Sequence, residues 1–390
     1  MELSLAFGKI CTCTFPLRLS RKHNAIRKIA LCLRRQMSST SENDVIIESV
    51  DDKGVITLNR PKALNALNLS MIRKIFPTMK NWEKEKSLVI MKGTGEKAFC
   101  AGGDVRAVTE AGIKGTNLGR DFFREEYTLN SLIGTYHIPY VAFIDGITMG
   151  GGVGLSVHGH FRVATERTLF AMPETAIGLF PDVGGSYFLP RLGGKLGLYL
   201  ALTGYRLKGL DVLKAGIATH FCDSGKLVDL LDSLLKCPGT QNAVEEVLNK
   251  FSKSSTSKTS EFSLTPYMSI IDSCFSAPTV EEILERLRAE GSEWSLKTIE
   301  TLNNMSPTSL KVTKKQLEEG EGKSLLDCLK MEYRLAVHAC EGHDFYEGVK
   351  ALLIDKGRKP NWKPSTLSEV TDEFVDAQFA PLSPGEELKL

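Results

Sequence analysis

Short apolar runs rich in β-branched residues recur through the first half of the chain: 45–50 (VIIESV), 54–60 (GVITLNR), 88–93 (LVIMKG), 140–146 (YVAFIDG), 161–165 (FRVAT) and 169–174 (LFAMPE). Each is four to seven residues long and bounded by Gly, Pro, Asp or Lys, the pattern of strands. Between them the period changes to that of a helix. Leu67, Met71, Ile72, Ile75 and Met79 share one face of 67–82, and 121–133 reads the same way. Strands alternating with helices predict an α/β or α+β core. The stretch 252–260 (SKSSTSKTS) has no apolar residue to bury and is expected as an exposed loop or linker. Beyond it the pattern is helical: 279–289, 307–318 after an N-cap at Ser306, and 324–340. The expected organisation is therefore a core over 38–250 followed by a linker and C-terminal helical region over 251–390.

Charge separates a third segment. Residues 1–37 hold eight basic residues and one acid, Glu2. Such Arg-rich, acid-poor N-termini read as mitochondrial presequences, and a mitochondrial matrix location is expected. The whole chain has 49 basic and 47 acidic residues; without that segment the counts fall to 41 and 46, a net charge of −5. A nucleic-acid partner then lacks electrostatic support. No apolar run approaches the roughly 18 residues of a spanning helix, so no membrane partner is expected either. The nine cysteines show no C-x-x-C spacing, which fits a reducing compartment. His158 and His160 lack a third ligand at metal-site spacing, so neither metal nor cofactor is expected.

The candidate chemistry lies in two glycine-rich turns, 98–104 (AFCAGGD) and 146–155 (GITMGGGVGL), followed by MPETAIGLFPD with Glu174 and Asp182. A glycine lets the backbone approach a ligand closely and aim its N–H at one oxygen, and two such donors suit a carbonyl becoming negative. Gly151 at a helix start would add the helix dipole. A dinucleotide fingerprint fails because Leu155 occupies the third glycine position, and no G-x-S-x-G elbow exists for a serine hydrolase. Each acid also has a plain reading. Glu174 after Pro173 suits a first helical turn, Asp182 a turn, and Glu125 and Glu126 a solvated helix face.

Together the motifs resemble the crotonase (enoyl-CoA hydratase/isomerase) superfamily. Asn59-Arg-Pro-Lys-Ala-Leu-Asn65-Ala-Leu67 looks like the segment lining that family's acyl-CoA cleft. The two glycine turns look like its oxyanion turns, and Asp344-Phe-Tyr-Glu347-Gly348 like its C-terminal helix signature. The resemblance implies a spiral of repeated ββα units with a C-terminal helical region, oxyanion donors at Gly103 and Gly151, and an acyl-CoA substrate. It also admits a homo-oligomer. Hydratases of the family carry glutamates at the positions of Gly154 and Glu174, and here the first is missing. What remains is similar to the branch that hydrolyses short 3-hydroxyacyl-CoA thioesters in valine breakdown. That likeness implies Glu126, Gly151, Glu174 and Asp182 as substrate-site residues, with Glu174 and Asp182 catalytic. A hydratase or isomerase using Glu174 alone, and a silent CoA- or RNA-binding relative, are the alternatives. Lys311 and Lys314 face two readings, contact with CoA phosphates or plain solvated charge, and the second is the expectation.

Overall fold

The computed structural model describes residues 43–255 and 261–390, so the expected presequence and the last five residues of the polar stretch lie outside the described residues. Ten strands are described: β1 Val45–Val50, β2 Lys53–Leu58, β3 Leu88–Gly93, β4 Ala98–Cys100, β5 Tyr140–Ile144, β6 Ile147–Met149, β7 Phe161–Ala164, β8 Leu169–Ala171, β9 Leu207–Lys208 and β10 His220–Phe221. They form two sheets. Six strands run in the order β1-β2-β3-β5-β7-β10, parallel except for the β1–β2 hairpin; four run β4-β6-β8-β9. Successive pairs β3/β4, β5/β6 and β7/β8 each lay one strand in the larger sheet and the next in the smaller, then enter a helical segment. That is the expected spiral of ββα units.

Side chains of a strand point alternately to opposite faces, and β3 shows what this achieves. Val89 and Met91 enter the main core, whereas Leu88 and Ile90 enter a second cluster with Val141, Val163, Leu234 and Leu248. The helices Leu227–Lys236 and Gln241–Ser255 supply that second cluster. A sheet covered on both faces needs continuous apolar strands, which is why LVIMKG does not alternate.

The predicted helices appear with their caps. Asn68, Thr279, Ser306 and Ser324 each accept a hydrogen bond from a backbone N–H three residues on, opening Leu69–Glu85, Val280–Glu290, Pro307–Gly320 and Leu325–Glu341. The segment 121–133 lies within Leu118–Gly134. The C-terminal helices share the main core, since Leu310, Leu329, Tyr333 and Phe345 cluster with Ile56, Phe99 and Tyr127, and residues 44–390 form one unit.

One expectation is corrected. Residues 252–255 are not loop but the end of the helix Gln241–Ser255. The Ser252 hydroxyl accepts the N–H of Phe221 and that of Ser255 the N–H of Asp223, at 3.2 and 3.1 Å. These serines stay helical because they satisfy backbone donors at the sheet edge.

Candidate active site

The strands β4 and β6 are short, and each delivers its chain directly into a glycine turn. The first turn is braced from behind. Asn65, buried and with φ of 56°, donates its amide to the carbonyls of Thr94 and Ala98 at 3.0 and 2.9 Å and accepts the N–H of Arg60. Asparagine tolerates this left-handed backbone better than most residues. Arg60 in turn pairs with Asp104 at 2.9 Å. Leu67 and Gly103 form a parallel bridge in which Leu67 N–H donates to Gly102 and Asp104 N–H donates to Leu67. That pattern uses the neighbours of Gly103 and leaves its own N–H out of the bridge to Leu67.

In that second turn Gly150 has φ of 44°, and Gly151 is the first residue of a helix only four residues long. The expected helix start is therefore present, but its dipole is that of a single turn. The N–H of a first helical residue has no intrahelical acceptor. A Cβ built on Gly151 would lie 3.1 Å from Gly103 N, so the two glycine turns abut with no room for a side chain between them. Gly152 packs against Cys100, so close packing and donor placement coexist in this triplet.

Three carboxylates surround the pair. A Cβ on Gly151 would meet Glu126 Oε1 at 2.5 Å, and one on Gly150 would meet Glu174 Oε1 at 2.9 Å. Glu126, Glu174 and Asp182 are 1%, 5% and 4% exposed, so Glu126 is no solvated helix face, whereas Asp182 does open a turn in which its carbonyl accepts the Gly185 N–H at 2.8 Å. Glu126 Oε1 and Glu174 Oε2 are buried without a hydrogen-bond partner among the described residues. Glu174 does open a helical turn, the 3₁₀ segment Glu174–Ile177, as expected. Asp182 accepts the Tyr127 hydroxyl at 2.8 Å. Burial, then the charge of Asp182, push Glu174 well above the usual carboxylate range; burial, then Asp182 and Glu174, do the same to Glu126. Burial lifts Asp182 to about 7 although the Tyr127 hydrogen bond works against it. Each carboxylate's charge thus opposes ionisation of its neighbours.

Other expectations resolve simply. Glu125 leaves the site and forms a two-pronged pair with Arg73, Nη2 to Oε1 at 2.6 Å. His158 is half-buried, and its Nε2–H donates to the Val183 carbonyl at 2.7 Å. The lysines are not plain solvated charges. Lys311 binds the Val370 carbonyl and Glu281 at 2.8 and 2.7 Å, and Lys314, 5% exposed, pairs with Glu318.

Three residues near the carboxylates went unread in the sequence: Tyr127, Asn130 and Glu332. Asn130 is fully buried, both polar atoms of its amide lack partners, and its Nδ2 would be 2.8 Å from a Cβ on Gly154. Positions 126, 127 and 130 lie on one face of Leu118–Gly134, so polarity on an otherwise apolar stripe was the available signal. Glu332 gives the same signal on Leu325–Glu341, among buried Leu329, Met331 and Leu335.

Comparison with known proteins fits this geometry. A family model described as enoyl-CoA hydratase/isomerase matches residues 53–379. A protein of Xenopus tropicalis named 3-hydroxyisobutyryl-CoA hydrolase, mitochondrial, is 58% identical over 362 residues, covering 92% of this chain and 94% of its own. The Homo sapiens protein of the same name is 54% identical over 372 residues, covering 94% and 96%. Among solved structures, a carnitinyl-CoA dehydratase from Mycobacterium thermoresistibile has a TM-score of 0.82 at 37% identity, covering 89% of this chain and 99% of that one. No helix among the described residues is long and apolar enough to cross a membrane.

Proposed function

The chain belongs to the enoyl-CoA hydratase/isomerase family, and from that membership we propose that it hydrolyses 3-hydroxyisobutyryl-CoA to 3-hydroxyisobutyrate and free CoA, a step of valine breakdown in the mitochondrial matrix. The observation that carries this reading is a buried carboxylate, Glu174, whose Oε2 has no partner among the described residues, beside two abutting glycine turns. The relatives that share more than half of their residues with this chain bear a hydrolase name. The same site accepts the 3-hydroxypropionyl thioester, because one methyl in an apolar pocket changes discrimination by only about 1–3 kcal/mol.

In this reading the thioester carbonyl oxygen sits between the N–H groups of Gly103 and Gly151, which stabilise it as it becomes negative. Two routes use that arrangement. In one, a Glu174 oxygen attacks the carbonyl carbon, the tetrahedral oxyanion collapses and CoA leaves as thiolate; water then cleaves the mixed anhydride, returning Glu174 as carboxylate. In the other, Glu174 takes a proton from water as the water oxygen attacks. Either way the thiolate leaves with little acid assistance, since a thiol has a pKa of about 8.5. Asp182 and Glu126 flank the acyl group, where they orient water or accept the 3-hydroxyl proton.

Hydration of a double bond is disfavoured by the place where the family's other glutamate stands. Here it is Gly154, whose Cβ position is closed by Val183 at 2.6 Å and by the neutral amide of Asn130. The acid/base pair at the family's hydratase positions is therefore incomplete. The test compares thiol release from 3-hydroxyisobutyryl-CoA with loss of the crotonyl-CoA double bond. The proposal expects rapid thiol release and no hydration. Hydration without thiol release moves the assignment to a hydratase; binding without either reaction moves it to a silent CoA-binding protein.

A further inference from the structure

Asp182 sits on a loop that is strained and held from several sides. Val183 has φ of 52° and is fully buried. A β-branched residue in the left-handed region costs about 1–3 kcal/mol and persists only where the surroundings fix it. The fixing groups can be named. Gln316 donates to the Pro181 carbonyl at 2.6 Å, His158 to the Val183 carbonyl at 2.7 Å, and Tyr127 to the Asp182 carboxylate at 2.8 Å.

The firmest hold comes from Glu332, which is 0% exposed and projects from the helix Leu325–Glu341. One carboxylate oxygen accepts the Gly184 N–H at 2.7 Å. The other accepts the Ser186 N–H and hydroxyl at 2.9 and 2.6 Å. Three donors on one carboxylate fix both the position and the rotation of the loop immediately after Asp182. A carboxylate is otherwise costly on the buried stripe of a helix.

We propose that Glu332 is a positioning residue of the hydrolase site, a clasp by which the C-terminal helices hold the strained loop that presents Asp182. This rests on the reading of Asp182 as part of the reaction centre. The groups that face Asp182 are Tyr127 and Glu126 from Leu118–Gly134, Glu174 from its 3₁₀ turn, and Glu332. Glu332 itself faces Asp182, Tyr127, Ser186 and Cys328. His158, held neutral by burial, adds no charge to the loop at neutral pH.

The test is Glu332→Gln in the full protein, assayed for thiol release from 3-hydroxyisobutyryl-CoA across pH. The amide turns an N–H toward donors and cannot close the clasp. A displacement of about 1 Å in a reacting group costs about 100-fold, so kcat is expected to fall about 10- to 100-fold while KM changes little. Turnover is therefore expected to fall far more than substrate affinity, a split between kcat and KM that a general loss of structure would not produce. Folded Glu332→Gln with wild-type kcat, or with kcat lowered only in step with a raised KM, overturns the proposal. If that variant does not fold, Ser186→Ala removes one of the three donors and is expected to lower kcat about twofold to tenfold at unchanged KM; unchanged kcat there overturns it equally. Wild-type protein that releases no thiol fails the functional reading itself, which keeps the two failures apart.

Discussion

Replacing Gly151 by alanine tests the oxyanion arrangement at its tightest point. The added Cβ would stand 2.5 Å from Glu126 Oε1, 3.1 Å from Gly103 N and 3.4 Å from the Gly102 carbonyl carbon. Comfortable separation is about 3.5–4.0 Å, so the methyl is about 1 Å too close to Glu126 and lies against the neighbouring donor. Either the first turn or the Glu126 side chain must move, and the pocket for the carbonyl oxygen is lost. Removing one oxyanion donor costs about 100- to 1,000-fold in kcat, or about 2.7–4 kcal/mol, and that is the expected loss. Stability should change far less, because alanine favours a helix by about 1 kcal/mol over glycine while crowding costs about 1–3 kcal/mol. The assay is thiol release at saturating substrate, with a melting curve on the same sample. A folded Gly151→Ala protein within about threefold of wild type would refute the reasoning. Gly103→Ala is the companion, since its Cβ meets a different neighbour, the Phe122 ring at 2.9 Å, and the same loss is expected.

Other outcomes follow from the same geometry. Asp182 titrates at about 7 in the folded protein against an ordinary 3.8, so over that window the folded state holds a proton that the unfolded state has released. Its contribution to stability is present at low pH and lost as pH rises through about 7; Glu126, Glu174 and Glu332 act in the same direction. Melting temperature should therefore fall from pH 5 to 8, and Asp182→Asn should be more stable than wild type at pH 8 by on the order of a few kcal/mol; equal or lower stability contradicts this. Tyr127→Phe removes a hydrogen bond that lowers the Asp182 value, so the acid limb of thiol release should move to higher pH. Gly154→Glu, which restores the glutamate found in hydratases, should yield an unstable protein without crotonyl-CoA hydration, because Val183 and Asn130 fill the space; a stable, hydrating variant contradicts that.

Long periodic elements were legible because burial writes itself into spacing. The helix Leu69–Glu85 was recognisable from Met71, Ile72, Ile75 and Met79, and the start of Pro307–Gly320 from its Ser306 cap. The strands β4 and β6 were not, because three residues between glycines carry no period; yet these two strands place both glycine turns. Candidate residues near each other in sequence, Gly151, Glu174 and Asp182, could be proposed from motif order. Glu332 could not, since its partner loop is 146 residues away and only the tertiary fold joins them. Lys314 was misread because a lysine on a charged helix looks solvated; its burial is set by the neighbouring segments packed against that helix.

The most direct test of the account is single-turnover and steady-state thiol release from 3-hydroxyisobutyryl-CoA by wild-type protein and Glu174→Ala. Glu174 is the one carboxylate both routes require. The account predicts rapid release by the wild type and a loss of at least about 1,000-fold in the folded variant. Release by Glu174→Ala within about tenfold of wild type would contradict it, whatever the other residues do.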